Sequence, residues 1–520
     1  MIEPLSAIKP IEDMVKKKQQ RDESLDQPCR AADVGGGRIA IVDIGSNTVR
    51  LVVYESPMRL PAPIFNEKIQ CELGRGLSVS GRLNPDGVKL ALTGMKRFVR
   101  LAKAMGAAGL DIVATAAVRE AEDGPEFVAR IEALVGRPVQ VLSGDEEVET
   151  SAIGLLSGVP DADGVLGDMG GGSLDLMELH DGQMGARGTL PLGHLRLWED
   201  AGGSAINAFA IVAERLDELP WLENMEGRTF YAIGGAWRNA ARVFIEQMGY
   251  PLHIVDNFQV GLLDALSLTH LISGAGKRTL AAVPGVSRKR METLPSAAVC
   301  LHELLKRGRP ERVVFSGFGL REGQLLKSLP EAMRSQDPLI SGCFSLAERT
   351  GRFSVGGGEL MDWLTPLFDD ETMAENRLRL AACLLSDIAW TEHPDYRADH
   401  AFYRVLRLPF AGLTHPERAF LAAVIFVRYG GNPDTMIVAP ARSLLDEGAL
   451  VRAEQLGLAL RLALMLSASA PGILDTTELK LKKQKLELIL PEGGATFSSE
   501  TVERRLRNLA RSLALEGKIK

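Results

Sequence analysis

The chain has 520 residues, of which 46% are hydrophobic and 24% charged, and its formal net charge is −7. This length predicts several domains, and the composition is typical of a globular protein. No apolar run approaches the ~20 residues of a transmembrane helix, and the negative charge argues against a general nucleic-acid coat protein. The five cysteines are scattered and form no CxxC pair, which is typical of reduced thiols in a cytoplasmic protein.

Residues 1–37 are rich in polar and charged side chains and end in three consecutive glycines. We interpret this segment as a flexible tail, because it offers little apolar surface to bury. It also lacks the apolar core of a signal peptide. We therefore expect a cytoplasmic location and no membrane partner.

A glycine-containing turn follows the first apolar strand, which begins at Arg38. The turn reads Asp43-Ile-Gly-Ser46-Asn47-Thr48 and leads into a second apolar strand. The backbone N–H groups of such a strand–turn–strand unit can converge on a phosphate, and Asp43 can hold a cation or orient a water. The pattern next predicts a strand at Ile64–Cys71, a helix at Pro85–Met105, a strand from Leu110, a helix at Gly124–Val135, a strand from Val139 and a helix at Asp145–Leu156.

Two charged positions of this first lobe are candidates for chemistry. Arg119 follows the strand that begins at Leu110, where an arginine can clamp anionic oxygens. Asp145-Glu146-Glu147 opens a helix, and acidic residues are favoured there by the helix dipole alone. We expect Asp145 to be the N-cap and Glu147 to be a general base that accepts a proton from an attacking water, and Glu146 is open to either role.

The turn occurs a second time as Asp168-Met-Gly-Gly171-Gly172-Ser173, between two more apolar runs, and a hairpin turn follows at Asp181-Gly182. The repetition predicts a duplicated fold whose two lobes face one anionic ligand. Asp168 and Asp175 flank the glycines at a spacing that suits one hard cation such as Mg²⁺. For Asp175, a structural role in the hairpin is an equal alternative.

The remainder of the chain divides into three further regions. Helices at Ser204–Leu219 and Asn257–Ser273 and a strand at Arg312-VVFS complete the second lobe. Apolar residues at helical spacing then predict long helices to about residue 470, and a hairpin from Glu478 and a basic helix at Ser499–Leu515 end the chain. Two basic clusters, 288–290 and Lys480–Lys485, are candidates for holding a polyanion. The eight histidines show no metal-binding spacing, and Gly276-Lys277-Arg278 fails as a P-loop.

Six segments taken together resemble the exopolyphosphatase / guanosine pentaphosphate phosphohydrolase family of the actin-like ATPase superfamily. They are Asp43-IGSNT, Thr115-AAVRE, Ser143-GDEEVE, Asp168-MGGGSLD, Gly285-VSRKRME and Ser316-GFGLREG. The resemblance implies an α/β fold with two duplicated actin-like (ribonuclease H-like) lobes at 38–160 and 161–326. It further implies an α-helical HD-like domain at 327–470, without an evident His-Asp metal motif, and a small α+β module at 471–520.

The resemblance also implies roles for individual residues. Glu147 is the catalytic base. Asp43 and Asp168 lie at a metal ion, Mg²⁺ with Mn²⁺ as an alternative. Asp175, which stands where the family usually has glutamate, is a further candidate ligand of that ion. The phosphate contacts and substrate clamps are Ser46, Asn47, Thr48, Gly171, Gly172, Ser173, Arg119 and Arg290. Homodimerisation is a further implication of the family.

We therefore expect an exopolyphosphatase that releases orthophosphate from the end of inorganic polyphosphate by attack of a water. The alternative within the same chemistry is removal of the 5′ terminal phosphate of guanosine pentaphosphate. A nucleotide-binding regulatory protein without turnover is the alternative from another class, and Glu147 argues against it because binding alone needs no base. A kinase is disfavoured because no adenine site is apparent, and no nucleic-acid partner is expected.

Overall fold

The computed structural model describes residues 37–55, 59, 63–286, 291–352, 357–491, 494 and 498–520. The predicted tail at 1–37 therefore lies almost entirely outside the described residues, as does Arg290. The described residues form two compact units. The first contains residues 37–338 and Pro409–His415, and the second contains Leu339–Leu408 and the residues from Pro416 to the end. None of the described helices is both long and apolar enough to cross a lipid bilayer.

The first half of the first unit is built on a sheet whose strand order is β3-β2-β1-β4-β5. The strands are β1 (Arg38–Ile44), β2 (Thr48–Tyr54), β3 (Pro63–Gln70), β4 (Ala107–Ala114) and β5 (Gln140–Val141). Strand β1 pairs with β2 in antiparallel and with β4 in parallel orientation. The helices of this half are α1 (Leu77–Ser80), α2 (Pro85–Ala104), α3 (Ala116–Glu120), α4 (Gly124–Val135) and α5 (Gly144–Leu156).

The second half repeats this order with one strand more, as β10-β11-β9-β6-β7-β8. The strands are β6 (Gly164–Met169), β7 (Leu174–His180), β8 (Gln183–Leu190), β9 (Thr229–Ile233), β10 (Phe258–Gly261) and β11 (Arg312–Phe315). The helices are α6 (His194–Asp200), α7 (Ala205–Leu216), α8 (Gly235–Gln247), α9 (Leu262–Ser273), α10 (Lys277–Ala281), α11 (Leu294–Gly308), α12 (Leu320–Lys327) and α13 (Glu331–Arg334). Strand β6 is antiparallel to β7 and parallel to β9, so it occupies the place that β1 has in the first sheet.

One predicted helix of this half is partly wrong. The segment Asn257–Ser273 begins with β10 at the sheet edge, and helix α9 starts only at Leu262. Phe258 and Val260 are buried while the alternate positions Gln259 and Gly261 are exposed. This period-two pattern spans only four residues and continues into helical spacing, which conceals it in the sequence.

Helices α5 and α12 join the two halves by direct backbone approach. A Cβ added to Gly323 of α12 would lie 1.8 Å from the carbonyl oxygen of Thr150, and one on Gly154 of α5 would lie 2.0 Å from that of Gly319. Lys327 donates from Nζ to Thr150 Oγ1 at 2.6 Å. Only glycine permits these separations, so the two helices are in van der Waals contact along their backbones.

The second unit consists of helices and one small sheet. The helices are α14 (Pro338–Thr350), α15 (Gly357–Leu364), α16 (Met373–Leu385), α17 (Arg397–Leu406), α18 (His415–Arg428), α19 (Ala439–Arg442), α20 (Glu447–Ser467) and α21 (Glu500–Ser512). Strands β12 (Glu478–Lys482) and β13 (Lys485–Ile489) form the predicted hairpin. Strand β14 (Glu516–Ile519), which the sequence did not predict, adds to β13 in parallel orientation after α21.

Candidate active site

The two glycine-containing turns have the same backbone geometry. Gly45 N donates to Thr48 O and Gly170 N donates to Ser173 O, each at 3.0 Å. A Cβ added to Gly171 would lie 2.9 Å from Ser46 Cβ and 3.2 Å from Asn47 N. The turns of the two halves are therefore in contact with each other.

Both turns line one cavity of about 560 Å³, which is within the usual range for a small-ligand site. The structure brings most of the predicted site residues to it. They are Asp43, Ser46, Asn47, Thr48, Glu147, Asp168, Gly171 and Ser173. Gly172 lines a smaller neighbouring cavity with Ser46, whereas Arg119 and Asp175 do not line the large one.

The three acidic residues at the start of α5 have different surroundings. Ser143 is the N-cap, in place of the expected Asp145, and it forms a capping box with Glu146. Glu146 Oε2 accepts from Ser143 N at 2.8 Å, so its carboxylate caps the helix. Asp145 forms an ion pair with Arg187 at 3.4 Å. Glu147 is buried and reaches the cavity, which leaves it as the residue of the three that can act on a ligand.

Arg119 contacts Glu147 rather than the cavity. Its Nη1 donates to Glu147 Oε2 at 2.9 Å and to Leu142 O at 2.6 Å. Burial and the nearby Asp175 carboxylate raise the pKa of Glu147 well above 4.5, while Arg119 opposes that shift. A glutamate with a raised pKa is a stronger base than one in water once it is ionised, and the arginine fixes one of its oxygens.

Asp175 is held by hydroxyl groups. Thr189 Oγ1 donates to its Oδ1 at 2.8 Å and Ser173 Oγ donates to its Oδ2 at 3.1 Å. Burial raises its pKa to about 7, and the hydroxyl groups oppose the shift. Both carboxylate oxygens are engaged within the protein, so the geometry favours the structural alternative over metal ligation for this residue.

Asp43 and Asp168 end equivalent strands and both reach the cavity. Asp43 Oδ2 accepts from Arg321 Nη1 at 3.2 Å, and Asp168 Oδ2 accepts from Ser151 Oγ at 2.6 Å. Burial raises the pKa of each carboxyl group. Two buried carboxylates in one cavity fit a hard divalent cation that takes its other ligands from water and phosphate. Among the described residues no cluster of three acidic, histidine or cysteine side chains is arranged as a metal site.

Five arginines that were not predicted from the sequence also line the cavity: Arg50, Arg59, Arg238, Arg242 and Arg321. Arg50 donates from Nε to Asn66 Oδ1 at 2.7 Å, and Arg238 donates from Nη1 to Gly317 O at 2.7 Å. Arg321 is the partner of Asp43. Burial and repulsion from Arg321 and Arg238 lower the pKa of Arg50 to about 10, which leaves Arg50 charged at neutral pH. The guanidinium groups make the cavity a site for an anion with several charges.

Gly234 lies next to the cavity at a position where a side chain would not fit. Its φ is +100°, and an added Cβ would lie 2.5 Å from Met169 O and 3.1 Å from Asp168 Oδ1. The glycine therefore allows α8, which carries Arg238, to begin against the end of β6.

His415, by contrast, is a buried core residue, with hydrogen bonds to Tyr250 Oη and Asp256 O at 3.0 Å each.

Residues 52–332, more than half of the chain, match the model of the Ppx/GppA phosphatase family. The chain belongs to this family. Residues 351–518 match a second family model, described as exopolyphosphatase, C-terminal. Five of the six segments singled out in the sequence lie within the Ppx/GppA match, and the first, Asp43–Thr48, lies just before it.

Similar proteins carry different names. The chain is 26% identical over 307 residues to exopolyphosphatase 1 of Mycobacterium tuberculosis, covering 56% of this chain and 88% of that protein. It is 23% identical over 479 residues to guanosine-5′-triphosphate,3′-diphosphate pyrophosphatase of Vibrio cholerae, covering 87% and 91%. It is 24% identical over 435 residues to retrograde regulation protein 2 of Saccharomyces cerevisiae, covering 75% and 72%.

A solved exopolyphosphatase structure from Cytophaga hutchinsonii has the same fold as the first part of the chain. The TM-score is 0.51 at 22% sequence identity, over 55% of this chain and 96% of that one.

Proposed function

We propose that the chain is an exopolyphosphatase that hydrolyses the terminal phosphoanhydride bond of inorganic polyphosphate. The observation that carries this proposal is the position of Glu147, a buried carboxylate with a raised pKa beside two glycine-containing turns in one cavity. A base in that place serves hydrolysis, and a protein that only binds phosphate does not need it. The M. tuberculosis relative and the C-terminal family match support the same activity.

Each group of site residues has its own role in the proposed hydrolysis. The turns at Ser46 and Gly171 bind the terminal phosphates through backbone N–H groups. Glu147 removes a proton from the attacking water, and Arg119 holds its carboxylate in place. Arg238 and Arg321 stabilise the charge that develops on the phosphate oxygens. Asp43 and Asp168 would hold Mg²⁺ or Mn²⁺, which when bound neutralises phosphate charge and acts as a Lewis acid.

The larger architecture belongs to the same proposal. The shared strand order of the two sheets supports a duplicated actin-like fold with lobes at 38–160 and 161–326. An HD-like helical domain at 327–470 and a small α+β module at 471–520 would complete the chain. Homodimerisation is part of the proposal on the family resemblance alone, and a cytoplasmic location is part of it on the pattern of scattered cysteines.

Removal of the 5′ terminal phosphate from guanosine pentaphosphate is the second candidate. It is favoured by the V. cholerae relative, which matches 87% of this chain, and by the five arginines of the cavity, which suit a ligand with many phosphate charges. A regulatory protein without turnover is the third candidate, and the name of the yeast relative supports it.

Phosphate release by the purified chain separates these candidates. Medium-chain polyphosphate and guanosine pentaphosphate are offered in parallel with Mg²⁺, and kcat/KM is measured for each. We expect a higher value for polyphosphate. A higher value for guanosine pentaphosphate would favour the second candidate, and no release from either substrate would favour the regulatory protein.

A further inference from the structure

The lysines that the sequence analysis selected in the second unit are largely neutralised. Lys480 pairs with Glu478 at 2.7 Å, Lys482 with Glu487 at 3.1 Å and Lys485 with Glu516 at 3.6 Å. The hairpin and the parallel strand β14 place these glutamates beside the lysines. The cluster at Lys480–Lys485 is therefore a poor candidate for holding a polyanion.

A different group of cations in this unit is not neutralised. Arg461 of α20 and Arg504 and Arg505 of α21 line a cavity of about 160 Å³ together with Leu458 and Asn508. We call these three side chains the arginine triad. No carboxylate of the described part of the chain forms an ion pair with any member of it. The Nε atom of Arg505 is buried and has no hydrogen-bond partner among the described residues.

The packing of two helices holds the triad together. Leu456 and Leu460 of α20 and Leu506 and Leu509 of α21 are buried. Gln455 Nε2 donates to Ser512 O at 3.0 Å and ties the helices at one end. The guanidinium group of Arg461 lies close to Gly430, where an added Cβ would be 2.3 Å from its Nη2.

The triad is under electrostatic strain without an anion. Burial lowers the pKa of Arg505 to about 10, and Arg461, Arg428 and Arg504 add repulsion. Burial and Arg504 lower the pKa of Arg461. No negative group among the described residues opposes either shift, although Arg428 itself lies 3.5 Å from Asp387. A bound anion would offset this repulsion between the guanidinium groups, which no described carboxylate offsets.

We propose that the arginine triad is a binding site for an oligophosphate anion in the second unit. Guanidinium groups present fixed pairs of N–H donors that match phosphate oxygens, and three of them suit an anion with more than one charge. The cavity offers the Asn508 amide as a further donor, and the residues that line it include no aromatic ring on which a nucleobase could stack. The site does not depend on the proposed activity of the first unit.

Calorimetric titration with tripolyphosphate tests this proposal. The full chain carrying Glu147→Gln is used so that turnover does not consume the ligand. We expect two binding events, and we expect Arg504→Gln/Arg505→Gln in that background to abolish one of them or weaken it at least about tenfold. The charge-matched control is Lys480→Gln/Lys483→Gln, which should keep both. Unchanged binding in the arginine variant, or equal losses in the two variants, would overturn the proposal.

Thermal unfolding gives a second readout that a purely structural role would not produce. Removal of a repulsive cluster should raise Tm in the absence of anion, and tripolyphosphate should then raise Tm less than it does in the unsubstituted chain. Arg504→Gln alone, at an exposed position, serves if the double variant does not fold. Orthophosphate should bind more weakly than tripolyphosphate, and equal affinity for the two would contradict recognition of an oligophosphate. If the first unit binds no phosphate at all, the single event that remains should still be lost in the arginine variant.

Discussion

At the scale of single residues, the decisive contrast is between two adjacent glutamates. Glu146 closes a capping box with Ser143, whereas Glu147 is buried at the cavity with Arg119 on one of its oxygens. Their side chains are chemically identical, and their positions one residue apart on a helix turn them about 100° away from each other. Sequence alone left Glu146 open between two roles because a first helical turn favours acidic residues for either reason.

Glu147→Gln should preserve the fold and reduce kcat by about 10²–10⁴-fold, because the amide keeps the shape but cannot accept the proton of water. The measurement is phosphate release at saturating polyphosphate. The matched control is Glu146→Gln, which should retain turnover and lose only a little stability, because its exposed side chain acts on the helix cap and not on the cavity. A Glu147→Gln protein with more than about half the original kcat would place the base elsewhere.

The acid limb of the pH profile should report the pair of Glu147 and Asp175. Glu147 acts only when ionised, and its pKa is raised, so activity should fall as pH is lowered through an apparent pKa well above 4.5. Asp175→Asn removes a neighbouring negative charge, which lowers the pKa of Glu147 and should move the limb to lower pH. The profile of kcat/KM is compared with that of Asp145→Asn, an exposed carboxylate that should shift nothing. A limb that moves to higher pH in Asp175→Asn would contradict this coupling.

At the scale of elements, the sequence predicted well wherever one short segment carries the whole signal. The two glycine turns, the helix Gly124–Val135 and the hairpin at Asp181-Gly182 all occur as expected. Periodicity and turn chemistry are local properties, so they can be read without knowledge of the fold.

The sequence failed where the signal depends on what comes together in space. Arg238 and Arg321 lie on helices, and an isolated arginine there resembles a solvent-exposed residue until the fold directs it into a cavity. The lysines of Lys480–Lys485 failed in the opposite sense, because strand register supplies glutamates that sequence order does not reveal. Asp175 was open between two roles until the hydroxyl groups of Thr189 and Ser173 were found on its oxygens.

Gly323→Ala should destabilise the first unit through the contact of α5 with α12. The new methyl group would overlap Thr150 O, and overpacking of this kind costs about 1–3 kcal/mol. Urea unfolding of the full chain measures the loss. Gly109→Ala is the control, since nothing lies within 4 Å of its added Cβ, and it should change stability far less. Equal effects of the two substitutions would mean that the helices separate freely.

At the scale of the whole molecule, a chain with net charge −7 would have to bind the proposed polyanionic substrate through local positive charge. The cavity arginines can hold only the last few phosphates of a long substrate. The basic cluster at 288–290 lies outside the described residues. It stays a candidate for binding the substrate phosphates beyond those last few. The lysine cluster at Lys480–Lys485 is paired with glutamates.

Arg288→Ala/Lys289→Ala should therefore lower kcat/KM for long polyphosphate more than for short polyphosphate, and should flatten its salt dependence. Lys482→Ala/Lys483→Ala is the comparison, and we expect it to leave the dependence on chain length unchanged. The measurement is kcat/KM against substrate length at several salt concentrations. Equal losses on short and long substrates would instead indicate damage to catalysis or folding.

The two halves of the first unit are joined unequally on their different sides. Helices α5 and α12 meet backbone to backbone, while elsewhere Glu199 accepts from Gly76 N at 3.1 Å and Arg196 pairs with Glu120 at 2.8 Å. The helix contact resists separation of the halves through close packing of two backbones, whereas the two polar contacts can break and form again. Separation of the two glycine-containing turns would break these polar contacts, and we expect substitutions at Glu199 and Arg196 to change how readily the cavity opens.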